Sequence, residues 1–303
     1  MHLLQIPVVA LKYVFGMMND QGIVMTLLTS KRAASIMQMC SIRTSTEIVF
    51  SVHNNWLKSQ IGTFIFIMNA GLDADRYKPP TNRTYTQNTL ADEPTTKSFI
   101  ERVVKVYHEP KVILYFFDGT DVFAVELVRL LNYGPLREVS YLIDNTSPEC
   151  YKAVFKEAVT LERFEIQTEL PMNFQFSPSV SLNLEELIIG GSPCDWVKLE
   201  DFMSCKKVSV RPFYPLEKLS LETAKYLNRF FKKLKESECR LETLQFGADM
   251  EQSSFINAVD GLSDTDLVDG FTEVHFTRKD QKKLVLYWRT NALWMSSAHE
   301  RFM

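Results

Sequence analysis

Apolar positions along the first forty residues follow the 3.6-residue period of α-helices. After Pro7, which suits the first turn of a helix, Val8, Leu11, Val14, Phe15 and Met18 fall on one stripe. Asn19 and Asp20 offer capping oxygens for a second helix with Ile23, Val24, Leu27 and Leu28 as its apolar positions. Thr29 or Ser30 caps a third, running from Lys31 to about Met39. Residues 4–42 therefore predict three short helices, which bury little by themselves and need a larger body to pack on.

The period then changes. Over 43–70, Glu47–Val52 and Thr63–Met68 are β-rich runs separated by a polar stretch around Asn54 and Asn55, which predicts a strand pair. Residues 71–97 lack periodicity and contain Pro79, Pro80 and Pro94, the pattern of an exposed loop. From 98 to 303 helices and short strands alternate: helix Ser98–Val106, strand Val112–Phe117, helix Val122–Leu131, strand Val139–Ile143.

A motif recurs within that region. Leu161-Glu-Arg-Phe164-Glu-Ile166 is followed 23 residues later by Leu184-Glu-Glu-Leu187-Ile-Ile189, and 21 residues after that by Cys205-Lys-Lys-Val208-Ser-Val210. Leu241-Glu-Thr-Leu244-Gln-Phe246 closes the set after an insert. Each copy is apolar at its first, fourth and sixth positions, and the two shorter spacings fall within the 20–29 residues of leucine-rich-type repeats. One strand-and-crossover unit cannot cover its own apolar side, whereas stacked neighbours can. Ser220 reads instead as the cap of a long amphipathic helix carrying Leu221, Ala224, Leu227, Phe230, Phe231 and Leu234. The fold class is α/β: three N-terminal helices, then a divergent leucine-rich-like array of strands and helices.

Composition narrows the function. Hydrophobic residues are 46% and charged residues 23%, a globular balance, and a net charge of −3 supplies no general field for nucleic acid. The five cysteines, Cys40, Cys150, Cys194, Cys205 and Cys239, show no C-x-x-C pair, which fits unpaired thiols in a reducing compartment. Leu3–Met18 lacks the positive start and the cleavage site of a signal peptide. The longest apolar runs, such as Phe64–Met68, are far shorter than a membrane span. A cytoplasmic or nuclear location and no membrane partner are the expectation.

Candidate chemistry is sparse. Gly190-Gly191-Ser192 lacks the lysine of a phosphate-binding loop. His2, His53, His108, His275 and His299 are scattered, and Asp118-Gly119, Asp260, Asp264 and Asp266 lack cation-loop spacing. Neither Cys40 nor Cys205 carries the signature of a nucleophile. No catalytic residue, metal or cofactor is expected. Trp196, with Leu199 and Phe202, reads as helix-side core in preference to a partner-contacting anchor.

Two groups of residues carry a resemblance. Ile6-Pro7-Val8-Val9-Ala10-Leu11, Val14-Phe15, Met18-Asn19, Ile23, Leu27 and Leu28-Thr-Ser-Lys-Arg32 resemble an F-box. Trp196-x-x-Leu199-x-x-Phe202-x-x-Cys205, then Leu227-Asn228-x-Phe230-Phe231-Lys232 and Leu241-Glu242-x-Leu244, resemble the F-box-associated type 2 domain expanded in nematodes. Departures from the pattern are Gly22 inside the second helix, and Ala33 and Leu234 where relatives often have Trp. The resemblance implies a non-catalytic substrate receptor of an SCF-type cullin–RING ubiquitin ligase. It would dock a Skp-type adaptor, and through it the cullin scaffold, by Pro7, Val8, Leu11, Val14, Ile23, Leu27 and Leu28. The C-terminal region would hold a target protein whose identity and binding residues are unknown. The alternatives are a protein-binding scaffold with a degenerate F-box and, least favoured, a hydrolase within the repeat region.

Overall fold

The computed structural model describes residues 7–29, 31–40, 46–54, 56–69, 84–88, 92–107, 109–132, 134–192, 194–212, 218–263, 273–289 and 292–297. The chain divides into two compact units, Met1–Ile143 and Asp144–Met303. Mixed α/β architecture and three N-terminal helices match the sequence reading. The division falls inside the region expected as a single body from residue 98, because helices and strands alternate on both sides of Ile143 without a break in composition.

In the first unit the three helices are α1 (Val8–Met17), α2 (Asp20–Thr29) and α3 (Lys31–Cys40). Pro7 is the N-cap of α1, not its first helical residue, and its carbonyl accepts from the Leu11 amide at 3.0 Å. Asn19 caps α2 through Oδ1, which accepts from the Gly22 amide at 2.8 Å. A Cβ on Gly22 would stand 3.2 Å from that oxygen and 3.1 Å from Met18 Cε, so the glycine leaves room for the cap.

The strand region holds one strand more than the pair expected: β1 (Glu47–Val52), β2 (Trp56–Ile61) and β3 (Phe64–Asn69) form an antiparallel meander. In β2, Trp56-Leu-Lys-Ser-Gln-Ile61 mixes polar residues with apolar ones; Leu57, Ser59 and Ile61 are buried. Of the loop expected over 71–97, Thr84–Asn88 forms β4, parallel to β3, and α4 (Glu93–Val106) starts well before Ser98. The remainder, 71–83 and 89–91, lies outside the described residues. Asp92 caps α4 by accepting from the Thr95 amide at 2.9 Å, and Pro94 fits the first turn, where no amide donor is needed. Next come β5 (Lys111–Phe116), α5 (Asp121–Asn132) and β6 (Leu136–Tyr141), giving the strand order β6-β5-β1-β2-β3-β4. The three N-terminal helices find their larger body here: α2 and α3 pack on α4, and the Tyr107 hydroxyl donates to Asp20 Oδ1 at 3.2 Å.

The second unit opens with α6 (Pro148–Glu157), capped by Ser147, and places β7 (Arg163–Glu169), β8 (Glu186–Ser192), β9 (Lys207–Pro212) and β10 (Thr243–Gly247) side by side and parallel. Their register follows the recurring motif. Phe164 pairs with Leu187, Leu187 with Val208 and Val208 with Leu244, while Ile166, Ile189, Val210 and Phe246 form the next row. The motif's first residues, Leu161, Leu184, Cys205 and Leu241, are all buried. The crossovers differ. A short 3-10 turn, Leu199–Phe202, precedes β9, and α7 (Leu221–Lys235), capped by Ser220, precedes β10. After α8 (Gln252–Val259), β11 (Glu273–Thr277), β12 (Lys283–Arg289) and β13 (Ala292–Ser297) extend the sheet antiparallel through β13 against β10.

Candidate interaction surface

The helix α1 buries Leu11 and Phe15, each 3% exposed, and leaves Val9, Tyr13 and Met17 on the opposite side at 82%, 71% and 73%. Spaced four residues apart, these three form one stripe about 12 Å long. Val14, half exposed, widens it, and Met39 adds an exposed apolar group on α3. Of twelve large apolar side chains exposed among the described residues, five lie in these three short helices. Concentration of this kind, as opposed to scattered single residues, makes these helices a candidate interaction surface.

The residues proposed from sequence for adaptor docking divide accordingly. Pro7 and Val14 are exposed and Leu28 is half-buried, whereas Leu11, Ile23 and Leu27 are at most 3% exposed and hold the helices together. The side chain of Val8 lies outside the described residues. Val9, Tyr13 and Met17 are missing from the sequence-derived set. The apolar content of α1 is high all round, so periodicity alone does not tell which side turns inward; position 13, an amphipathic tyrosine next to Lys12, was the available signal. Ala33 and Leu234, two of the three departures from the patterns the sequence resembles, are both buried.

The candidate chemical groups have structural surroundings. His53 follows β1, and its ring stacks on Trp56 at 3.5 Å and on Phe117 at 4.8 Å. Asp118 Oδ1 lies 3.7 Å from His53 Nδ1 and accepts the Asn54 amide at 2.5 Å. Burial lowers the imidazole pKa and the Asp118 charge offsets part of this, so the ring is neutral at pH 7. The carboxyl ends of parallel strands are where α/β sheets commonly seat ligands; here stacked rings fill the position. His275 is exposed beside Glu273 at 3.2 Å. His2, His108, His299, Asp264 and Asp266 lie outside the described residues.

Cys205 is buried, its thiol donates to the Leu182 carbonyl at 3.2 Å, and burial pushes its pKa up to about 11. Burial likewise raises the Cys40 thiol, and the Cys194 thiol to about 12. A thiol so disposed carries little thiolate at neutral pH and is a poor nucleophile. Trp196 is 2% exposed, with its ring 5.5 Å from Tyr151 and Phe174 and 5.9 Å from Phe176. It belongs to the core. Among the described residues no group of three or more His, Cys, Asp or Glu is placed to hold a metal ion, and no helix is long and apolar enough to cross a membrane.

Comparison with protein-family models, with curated proteins and with solved structures finds no match to this chain.

Proposed function

We propose that this chain is the substrate-recognition subunit of an SCF-type cullin–RING ubiquitin ligase, docking a Skp-type adaptor through its N-terminal helices and a target protein through its C-terminal unit. The observation that carries the reading is the apolar stripe of Val9, Tyr13 and Met17 on α1, exposed on a helix trio whose sequence resembles an F-box. The parallel strands β7 to β10 add support, because their register follows the leucine-rich-like motif. Such a receptor acts by proximity: it raises the local concentration of a target lysine near a ubiquitin donor carried by another subunit.

The test is co-purification of the full chain with a Skp-type adaptor, beside Tyr13→Asp, Met17→Asp. Both positions are exposed, so the double variant keeps its melting temperature; loss of binding by tenfold or more is expected, since each apolar anchor is worth about 2 kcal/mol. Leu11→Ala with Leu27→Ala is the poorer probe, because both side chains are buried and their loss unfolds the helices as well. A wild-type chain that does not bind the adaptor would leave a protein-binding scaffold outside any ligase. Full binding by the double variant would remove α1 from the interface.

A further inference from the structure

We infer that a groove between α6 and the segment following β7 binds a short acidic peptide that inserts one apolar side chain. The groove measures about 190 Å³ and is lined by Lys152, Phe155 and Lys156 of α6 and by Phe176, Ser179 and Val180 of the segment. Its floor is fixed. Phe155 is buried and Phe176 half-buried within an aromatic cluster, their rings 5.2 Å apart, and Trp196 packs against both. Pro178 stiffens the rim, and the Ser177 hydroxyl ties it down by donating to Asp201 at 2.5 Å.

Three features select the ligand. An engineered apolar cavity of about 150 Å³ accommodates benzene, so this groove has room for one phenylalanine or leucine side chain. Lys152 and Lys156 stand one helical turn apart on the rim, both exposed; Lys152 Nζ lies 5.8 Å from the centroid of the Phe174 ring, and neither lysine has a carboxylate partner among the described residues. Two exposed cations without carboxylate partners, flanking an apolar slot, complement carboxylates flanking an apolar anchor. Exposed Val180, at 46%, extends the apolar wall outward to meet the anchor. The inference rests on the receptor reading only in taking this peptide as part of a target protein.

Fluorescence anisotropy of the full chain tests it, with a dye-labelled peptide carrying one central phenylalanine between runs of glutamate. Saturable binding is expected, weakened about tenfold or more in K152E/K156E and similarly when the central phenylalanine is replaced by serine. Raising salt from about 0.05 M to about 0.3 M weakens it too, because exposed charges are screened. Both lysines are exposed, so an unchanged melting temperature certifies the fold of the variant. Absence of saturable binding, equal binding of a lysine-flanked peptide, or an undiminished K152E/K156E variant overturns the inference. So does binding of phosphatidylserine vesicles with no binding of the peptide. Adaptor co-purification, run on the same variant, separates the two readings. Peptide binding without adaptor binding keeps the groove and removes the receptor role; adaptor binding without peptide binding does the reverse.

Discussion

Gly191 sits in β8 at φ +123°, and a Cβ there would stand 1.9 Å from the carbonyl oxygen of Thr168 on β7. Neither backbone can yield without breaking the parallel ladder, so Gly191→Ala is expected to destabilise the protein by about 3 kcal/mol or more, combining backbone strain with overpacking. Denaturant unfolding measures it, and a cost under about 1 kcal/mol would show that the strands separate easily. This accounts for a glycine pair that lacks the lysine of a phosphate loop: the requirement is close packing of strands. A second residue-scale case is Arg278, whose side chain is wholly buried. Its guanidinium donates to both oxygens of Asp280, at 2.8 and 2.6 Å, and to the Leu241 carbonyl at 2.7 Å. The paired guanidinium holds the Asp280 carboxyl down at about 2 from an ordinary 3.8. Since the folded state binds its proton less readily than the unfolded chain, the stabilisation is complete above pH 4 and is lost as pH falls toward 2. Thermal melts are therefore expected to show Asp280→Asn below wild type at pH 7, with the gap closing between pH 4 and pH 2; a gap that stays constant would sever the link to ionisation.

At the scale of elements, the side-chain-capped starts of α2 and α7 were legible, whereas α4 begins at Glu93, five residues before the expected Ser98. Asn19 and Ser220 cap α2 and α7 as their positions indicate, because a short polar side chain before an apolar-periodic run has a local hydrogen-bonding solution. Ser147 follows the same logic for α6: its Oγ accepts the Cys150 amide at 3.3 Å, and Pro148 occupies the first turn. Ser147→Ala is expected to cost about 1 kcal/mol, with Ser147→Gly close to neutral; chemical denaturation of the two variants checks this, and equal losses would assign the effect to packing. Strands were legible where apolar residues recur at fixed positions of a repeated motif, as in the four copies that became β7 to β10. β2 was not, since half of its six residues are Lys58, Ser59 and Gln60, and its place depends on pairing with β1 and β3. The same holds for the side of α1 that turns outward. Apolar residues surround that helix, and tertiary packing, through Leu11 and Phe15, decides which of them remain exposed.

Over the whole molecule, the boundary at Ile143 was the least legible feature, because helix and strand alternate across it and local pattern carries no information on where contacts thin out. Cysteine chemistry, by contrast, follows from composition and placement together. Cys40, Cys150, Cys194, Cys205 and Cys239 form no disulfide and are spread over both units, with Cys40 and Cys205 buried. Burial raises the pKa of Cys40, Cys194 and Cys205, the last two to about 12 and about 11, which suppresses the thiolate that alkylating reagents require. Cys150, Cys194 and Cys239 all lie in half-buried positions, and of these Cys194 has its thiol pushed up to about 12 by burial. Iodoacetamide at pH 8 is thus expected to label Cys150 and Cys239 first in the native chain, and Cys40, Cys194 and Cys205 at comparable rates only after denaturation. Peptide mass spectrometry over a labelling time course reads the order. Fast native labelling of Cys205 would contradict its burial and restore it as a candidate nucleophile, and a mass change on reduction before denaturation would reveal a disulfide where the structure has five thiols. Slow labelling at Cys194 and Cys205 would instead agree with thiols held protonated by burial, so that neither serves as a nucleophile in the native chain.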